Sequence, residues 1–194
     1  MSAPAAEEMW RGIRARHPRL REALPADARI TAHFRGERHE FTSRLDLLAQ
    51  IARLAWQSDA FLAQILYRAK ARLQVLGVPL LPRICHRLAM ATAQVSIGDP
   101  VVVAPGVYIV HGQVVADGLV EIGPGVVLFP WVTIGLRSGD VQGATIEAGA
   151  SIGTGAKVIG PVRIGADATV GANAVVVRDV APGETVVGAP ARPI

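Results

Sequence analysis

The chain has 194 residues, a length for one or two domains, and a net charge of +4 that averages two unlike halves. Residues 1–93 carry fifteen Lys+Arg against eight Asp+Glu, whereas residues 94–194 carry five against eight and most of the Gly and Val. The arginines lack the interleaved aromatic residues that stack on bases, which argues against nucleic acid, and the single Cys85 excludes an intrachain disulfide framework and fits a reducing compartment.

Residues 1–24 read as helical and very basic, with Arg11, Arg14, Arg16, Arg19 and Arg21. No basic start followed by an apolar run marks a secretory leader, and no stretch reaches the roughly eighteen apolar residues of a membrane span, so a cytoplasmic location is expected. Pro25 to Arg44 mixes Gly, Pro and short apolar pieces and is expected to be irregular. Leu45 to Leu76 is helical: Leu45, Leu48, Ile51, Ala52 and Ala55 recur at three and four, as do Leu62, Ile65, Leu66, Ala69 and Leu73. Ser58 stands where it would cap the second of these helices. Gly77, Pro79 and Pro82 interrupt, and a further helix over Leu81 to Ala93 leads into Gln94-Val95. Leu80, Leu81, Ile84 and Leu88, with Arg83 and Arg87, make a basic amphipathic face. Packing against protein is the preferred use of that face, and membrane association the alternative.

From Ile97 a small aliphatic residue returns at every sixth position, usually followed by Gly: Ile97-Gly98, Ile122-Gly123, Ile134-Gly135, Ile152-Gly153, Ile164-Gly165 and Val170-Gly171. Val103, Ile109, Val115, Leu128, Ile146, Val158 and Val176 fill the positions between, with a one-residue slip placed near Val120. Period six fits neither a helix face nor an alternating strand. It is the signature of a hexapeptide β-helix, with one aliphatic residue per repeat pointing inward and three repeats per coil. The expected organisation is a mainly β fold: an α-helical segment over 1–93, a left-handed parallel β-helix over 94–180, and a Pro- and Gly-rich tail over 181–194.

Two stretches break the repeat, His111 to Asp117 and the polar Leu136 to Ala144, and loops on a rigid scaffold are where function concentrates. The repeat region holds one histidine, His111, and no cysteine. A neutral imidazole is a usable base near neutral pH. It suffices to take a proton from an acceptor hydroxyl or amine as that atom attacks a thioester, whose leaving group is supplied by the co-substrate. A lone His on a coil surface also has a purely structural explanation; its place in His111-Gly112, at a break, favours function. One His per chain does not supply a three-His zinc site, so no metal is expected. Gly123-Pro124-Gly125 and Gly153-Thr154-Gly155 are repeat corners, not phosphate loops.

The segments Tyr108-Ile109-Val110-His111-Gly112, Val132-Thr133-Ile134-Gly135 and Ile152-Gly153-Thr154-Gly155-Ala156-Lys157 carry a family resemblance, as do Gly171-Ala172-Asn173-Ala174 and Val187-Gly188-Ala189-Pro190-Ala191-Arg192. Residues 59–194 resemble the left-handed β-helix acyltransferases, most closely the serine O-acetyltransferases. The resemblance implies transfer from acetyl-CoA to the hydroxyl of L-serine in a homotrimer with active sites between neighbouring subunits. It assigns His111 as general base and places Gly135, Ala156 and Lys157 along the groove for the pantetheine arm, with Ala172, Arg178 and Arg192 near the rest of the CoA. The acceptor would meet Ser96, Val110 and Gln142. At Ser96 and Val110 the family carries acidic residues, and at the polar loop a second His, for which the local sequence here offers Gln142. A carboxylate that orients a catalytic His is worth a large rate factor. Its loss favours, as alternatives, an acceptor that is a sugar, a polysaccharide unit or another small alcohol or amine, or a catalytically silent scaffold.

Overall fold

The computed structural model describes residues 3–194. Five helices come first: α1 (Ala3–Arg16), α2 (Leu20–Phe34), α3 (Arg44–Gln57), α4 (Asp59–Val75) and α5 (Leu81–Ala93). Ser43 caps α3 by accepting the Asp46 N–H at 3.1 Å, and Ser58 caps α4 by accepting that of Phe61 at 3.3 Å. None of these helices is long and apolar enough to cross a membrane.

The expectation of irregular chain from Pro25 does not hold, because α2 runs through Pro25 to Phe34. Burial of Ala23, Asp27, Ala28, Thr31 and Ala32 on one face offsets the hydrogen bond that Pro25 cannot donate. Leu45 and Leu48, part of the three-and-four spacing of α3, are 79% and 60% exposed, and the buried residue is Leu54.

Fifteen short strands then wind as a parallel β-helix of about five coils. The first coil is β1 (Ser96–Ile97), β2 (Val102–Val103) and β3 (Tyr108–Ile109); the second is β4 (Val115–Ala116), β5 (Leu119–Ile122) and β6 (Val127–Leu128). The third is β7 (Thr133–Gly135), β8 (Gln142–Ile146) and β9 (Ser151–Ile152), and the fourth β10 (Lys157–Ile159), β11 (Arg163–Ile164) and β12 (Thr169–Val170). β13 (Val175–Val176) opens the fifth, which β14 (Thr185–Val187) completes, and β15 (Arg192–Pro193) turns back antiparallel on β14. Residues 181–194 are therefore integral to the fold, not an appended tail. Three sheets result: I (β1-β4-β7-β10-β13), II (β2-β5-β8-β11) and III (β3-β6-β9-β12-β14-β15).

Each hexad buries two residues, not one. Val101 and Val103, Val132 and Ile134, Ala156 and Val158, and Ala174 and Val176 all point into the prism. The slip lies earlier than near Val120. Val115 is 41% exposed while Ala116 is buried, so the extra residue falls between Ile109 and Val114, at the corner that carries His111. Nineteen residues separate ladder partners Ser96 and Val115, against eighteen between Val115 and Thr133.

The first coil has no coil before it, and its exposed backbone groups are met by α4. Gln64 Nε2 donates to the Val107 carbonyl at 2.9 Å, Tyr67 Oη to that of Val101 at 2.8 Å, and Lys70 Nζ to that of Ile97 at 2.6 Å. Arg68 donates to the Val103 carbonyl and, at 2.7 Å, to that of Ala104. Its Nε also meets the fully buried Asp27 of α2 at 2.9 Å, and Asp27 accepts the Gly106 N–H at 2.8 Å. Burial pushes the Asp27 carboxyl above its ordinary value, against the pull of Arg68. Gln64, Tyr67, Arg68 and Ala71 share one helical face at spacings of three and four and are all buried. The Leu62–Leu73 stripe read as the packed face is only half-buried.

Two outcomes follow from this cap. Arg68→Leu strands a buried carboxylate and two carbonyls, and is expected to cost about 3–5 kcal/mol in denaturant unfolding, only part of it recovered by adding Asp27→Leu. His17, beside Tyr67, has its Nδ1 buried without a partner, and burial followed by the charges of Arg68 and Lys70 lowers its pKa to about 4. A depressed folded pKa means that the unfolded chain takes up the proton first. The His17 contribution is therefore complete above its unperturbed value of 6.5 and is lost as pH falls toward 4. Unfolding free energy measured across that window should show a shallower slope in His17→Gln than in the wild-type chain.

Candidate active site

His111 is exposed at the corner between sheets III and I, where the inserted residue forces an unusual backbone. His111, Gly112 and Gln113 all have positive φ, at 61°, 105° and 51°. The corner rests on the C-terminal end of α5, with the Gln113 N–H donating to the Ala93 carbonyl at 2.8 Å. A Cβ on Gly112 would lie 2.3 Å from that carbonyl oxygen, so only glycine allows the close approach.

The same edge continues through one corner per coil. Trp131 follows His111, its N–H donating to the Gln113 carbonyl at 2.8 Å; Thr154 and then Ala172 follow, both exposed. Strand spacing of about 4.8 Å makes this edge from His111 to Ala172 on the order of 15 Å long. Lys157, half-buried on β10, donates from Nζ to the Trp131 carbonyl at 2.7 Å. Trp131 carries no acid, base or nucleophile, so its residue type alone does not mark it. Register reveals it, because Gln113, Trp131, Gly155 and Asn173 occupy equivalent corner slots, all with positive φ.

The remaining candidates are dispersed. Ala156 has its methyl fully buried in the prism, its carbonyl accepts the Thr133 N–H and its own N–H donates to Gly153, each at 3.0 Å. It occupies an inward slot of the repeat; the exposed residue of that corner is Thr154. Gly135, half-buried at the end of β7, accepts the Gly160 N–H through its carbonyl. Arg178 is exposed at the opposite edge, between sheets I and II, and Arg192 is exposed on β15. Val110 is half-buried beside His111, with its N–H on the Leu128 carbonyl.

Ser96 lies on the outer face of sheet I, in a cleft of about 620 Å³ between that sheet and helices α4 and α5. Lys70, Arg83, His86, Asp99 and Asp117 also line it. Asp99 is partly buried, which disfavours its charge, but Lys70 at 2.9 Å holds the carboxyl below its ordinary value. His86 is lowered by burial and then by Lys70. His111 stands outside this cleft, at the neighbouring edge.

Gln142 opens β8 after the polar loop, on the far side of sheet I from His111, beside Met9, Ile13 and Arg16 of α1. The loop is a six-residue insertion: twenty-four residues separate Glu121 from its partner Thr145, against eighteen from Thr145 to Arg163. Arg137 anchors it by donating to the Val177 carbonyl at 2.9 Å. One chain does not bring Gln142 to His111. No cluster of three metal-ligating side chains occurs among the described residues.

Parallel coils of hexads, buried two residues at a time, define a hexapeptide-repeat β-helix protein. Residues 143–178 match the model for the bacterial transferase hexapeptide (six repeats). The serine acetyltransferase of Helicobacter pylori is 34% identical over 136 residues, covering 68% of this chain and 79% of that protein. That of Mycobacterium tuberculosis is 39% identical over 122 residues, covering 61% of this chain and 53% of that protein. Soybean serine acetyltransferase complexed with serine superposes with a TM-score of 0.76 at 28% identity, over 91% of this chain and 70% of that one. The chain belongs to the serine acetyltransferase family. It spans about half the length of the first curated relatives it matches.

Gly112→Ala tests the His111 corner. It should destabilise the chain by on the order of 2 kcal/mol through clash and positive φ. It should also lower turnover at least as far as a misplaced base does, roughly a hundredfold. Gly12→Ala on α1, with nothing within 4 Å, serves as the control in both melting and activity measurements.

Proposed function

We propose that this chain is an acetyl-CoA-dependent O-acetyltransferase that acetylates L-serine, with His111 as general base. The observation that carries the proposal is the only histidine of the repeat region standing exposed at the one-residue insertion, on the same edge as the small corner residues Thr154 and Ala172. CoA lies along that edge, and family membership supplies the donor and acceptor classes. Neutral His111 takes the acceptor hydroxyl proton as the oxygen attacks the thioester carbonyl carbon. The tetrahedral adduct collapses with cleavage of the carbon–sulfur bond, and the imidazolium returns the proton to the leaving thiolate. Backbone N–H groups of the coil stabilise the oxyanion.

Ser96 and Val110 put no carboxylate beside His111, so the seat of Gly112 on Ala93 does the positioning. Gln142 reaches a His111 site only from a second copy of the chain, which supports an inter-subunit site in a homotrimer. A second acceptor class, a sugar or other small-molecule hydroxyl, is favoured by the same two residues, since neither offers a charge to an amino-acid ammonium.

Thiol release from acetyl-CoA with L-serine and a panel of sugars and alcohols tests the proposal. His111→Ala should lower kcat by about 10²–10⁴-fold with an unchanged melting curve. Equal thiol release from the variant and the wild-type chain would remove His111 from the chemistry, and none from the wild-type chain with any acceptor would remove the transferase.

A further inference from the structure

Away from the inserted His111 corner, the corner slots of this β-helix obey a steric rule that one residue breaks conspicuously. Apart from His111 and Gln113 at the inserted corner, the slots with positive φ hold Gly106, Gly118, Gly125, Gly149, Gly155, Gly160 and Gly183, and the small polar Asp167 and Asn173. These residue types tolerate the left-handed region best. Trp131 holds such a slot with φ 66°. It is also 58% exposed, so burial of the indole within the chain does little to offset the strain. Both of its backbone groups are tied down, the N–H to Gln113 at 2.8 Å and the carbonyl to Lys157 Nζ at 2.7 Å. A bulky side chain kept in a strained, locked and solvent-facing position points to function.

Its place on the edge says which function. His111 stands one coil before Trp131, and the next corners carry Thr154-Gly155 and Ala172-Asn173. Those later corners are low and leave room for a slender chain along the edge. The single large side chain interrupts the edge beside the base, where a thioester lying along it would present its acyl group.

We propose that Trp131 is the acyl-size gate of the donor groove: its indole walls the space beside His111 so that acetyl fits and longer acyl chains do not. The gate rests on the proposed transfer from acyl-CoA along this edge. It makes Trp131 a specificity-determining residue that selects the donor, independent of which hydroxyl accepts.

The test compares acetyl-, butyryl- and hexanoyl-CoA in thiol release by the full-length chain and its Trp131→Gly and Trp131→Phe variants. The wild-type chain should prefer acetyl over hexanoyl by about tenfold or more, since each misfitting methylene is itself worth about that factor. Trp131→Gly should erase the preference by gaining on hexanoyl-CoA, with its melting temperature unchanged or raised because glycine relieves the strain. Trp131→Phe should restore the preference. An unchanged acyl ratio in Trp131→Gly overturns the gate, and if the same variant falls apart by light scattering the residue is a subunit contact instead. Should the wild-type chain release no thiol from any donor, the transfer reading fails separately. The gate is then decided by binding, with Trp131 as the sole fluorophore of its type in a Trp10→Phe, Trp56→Phe chain. Quenching by acetyl-CoA and not by hexanoyl-CoA upholds the gate; equal quenching, or none, rejects it.

Discussion

A parallel β-helix must begin somewhere, and its first coil presents backbone groups with no coil beneath them. In this chain that constraint is met from the side by α4, whose Gln64, Tyr67, Arg68 and Lys70 donate to the carbonyls of Val107, Val101, Val103, Ala104 and Ile97. Unsatisfied buried carbonyls are costly, and an uncovered edge invites pairing with another chain. The same helix carries the Arg68–Asp27 pair that ties α2 to the cap, with Asp27 in turn holding the Gly106 N–H. Helical segment and β-helix are thereby joined through polar chemistry. At the far end the remedy differs: β15 folds back antiparallel on β14.

Once the first coil is held, the rest is nearly one-dimensional. Each coil hydrogen-bonds to its neighbours and buries paired Val, Ile or Ala residues, so local changes stay local. That rigidity fixes where the two irregularities stand. The one-residue insertion lifts His111 out at one edge, braced by Gly112 against α5. The six-residue insertion projects the Arg137–Gln142 loop at another. Sheet I separates them within one chain, which is the geometric reason that a site using both requires a neighbour.

The electrostatics beside His111 are unlike those of a carboxylate-assisted base. Val110 adjoins it, Ser96 lies in the cleft by α4 and α5, and the charges gathered near sheet I, Lys70 with Asp99 and the adjacent His86, are committed to that same cleft. Backbone contacts to Ala93, through Gly112 and Gln113, hold the His111 corner. The strain is concentrated on one edge, at His111, Gln113 and Trp131.

The period of six, the low corners and the helices flanking Ser58 are local properties, and the amino-acid order alone determined them: a prism with repeating aliphatic contacts has no other periodicity. The isolated histidine was equally legible. Four matters were decided only by tertiary structure. The buried face of α4 is the one bearing Gln64, Tyr67 and Arg68, because partners more than thirty residues away outweigh the hydrophobic stripe of Leu62 to Leu73. Pro25 sits inside a helix because packing on five positions of that helix offsets its missing donor. Ala116 and not Val115 points inward, since the slip is set by the seat of Gly112 on Ala93, a long-range contact without a local signature. Trp131 falls beside His111 only when coils are stacked in register, which is a property of hydrogen bonds between coils and not of neighbours in the chain.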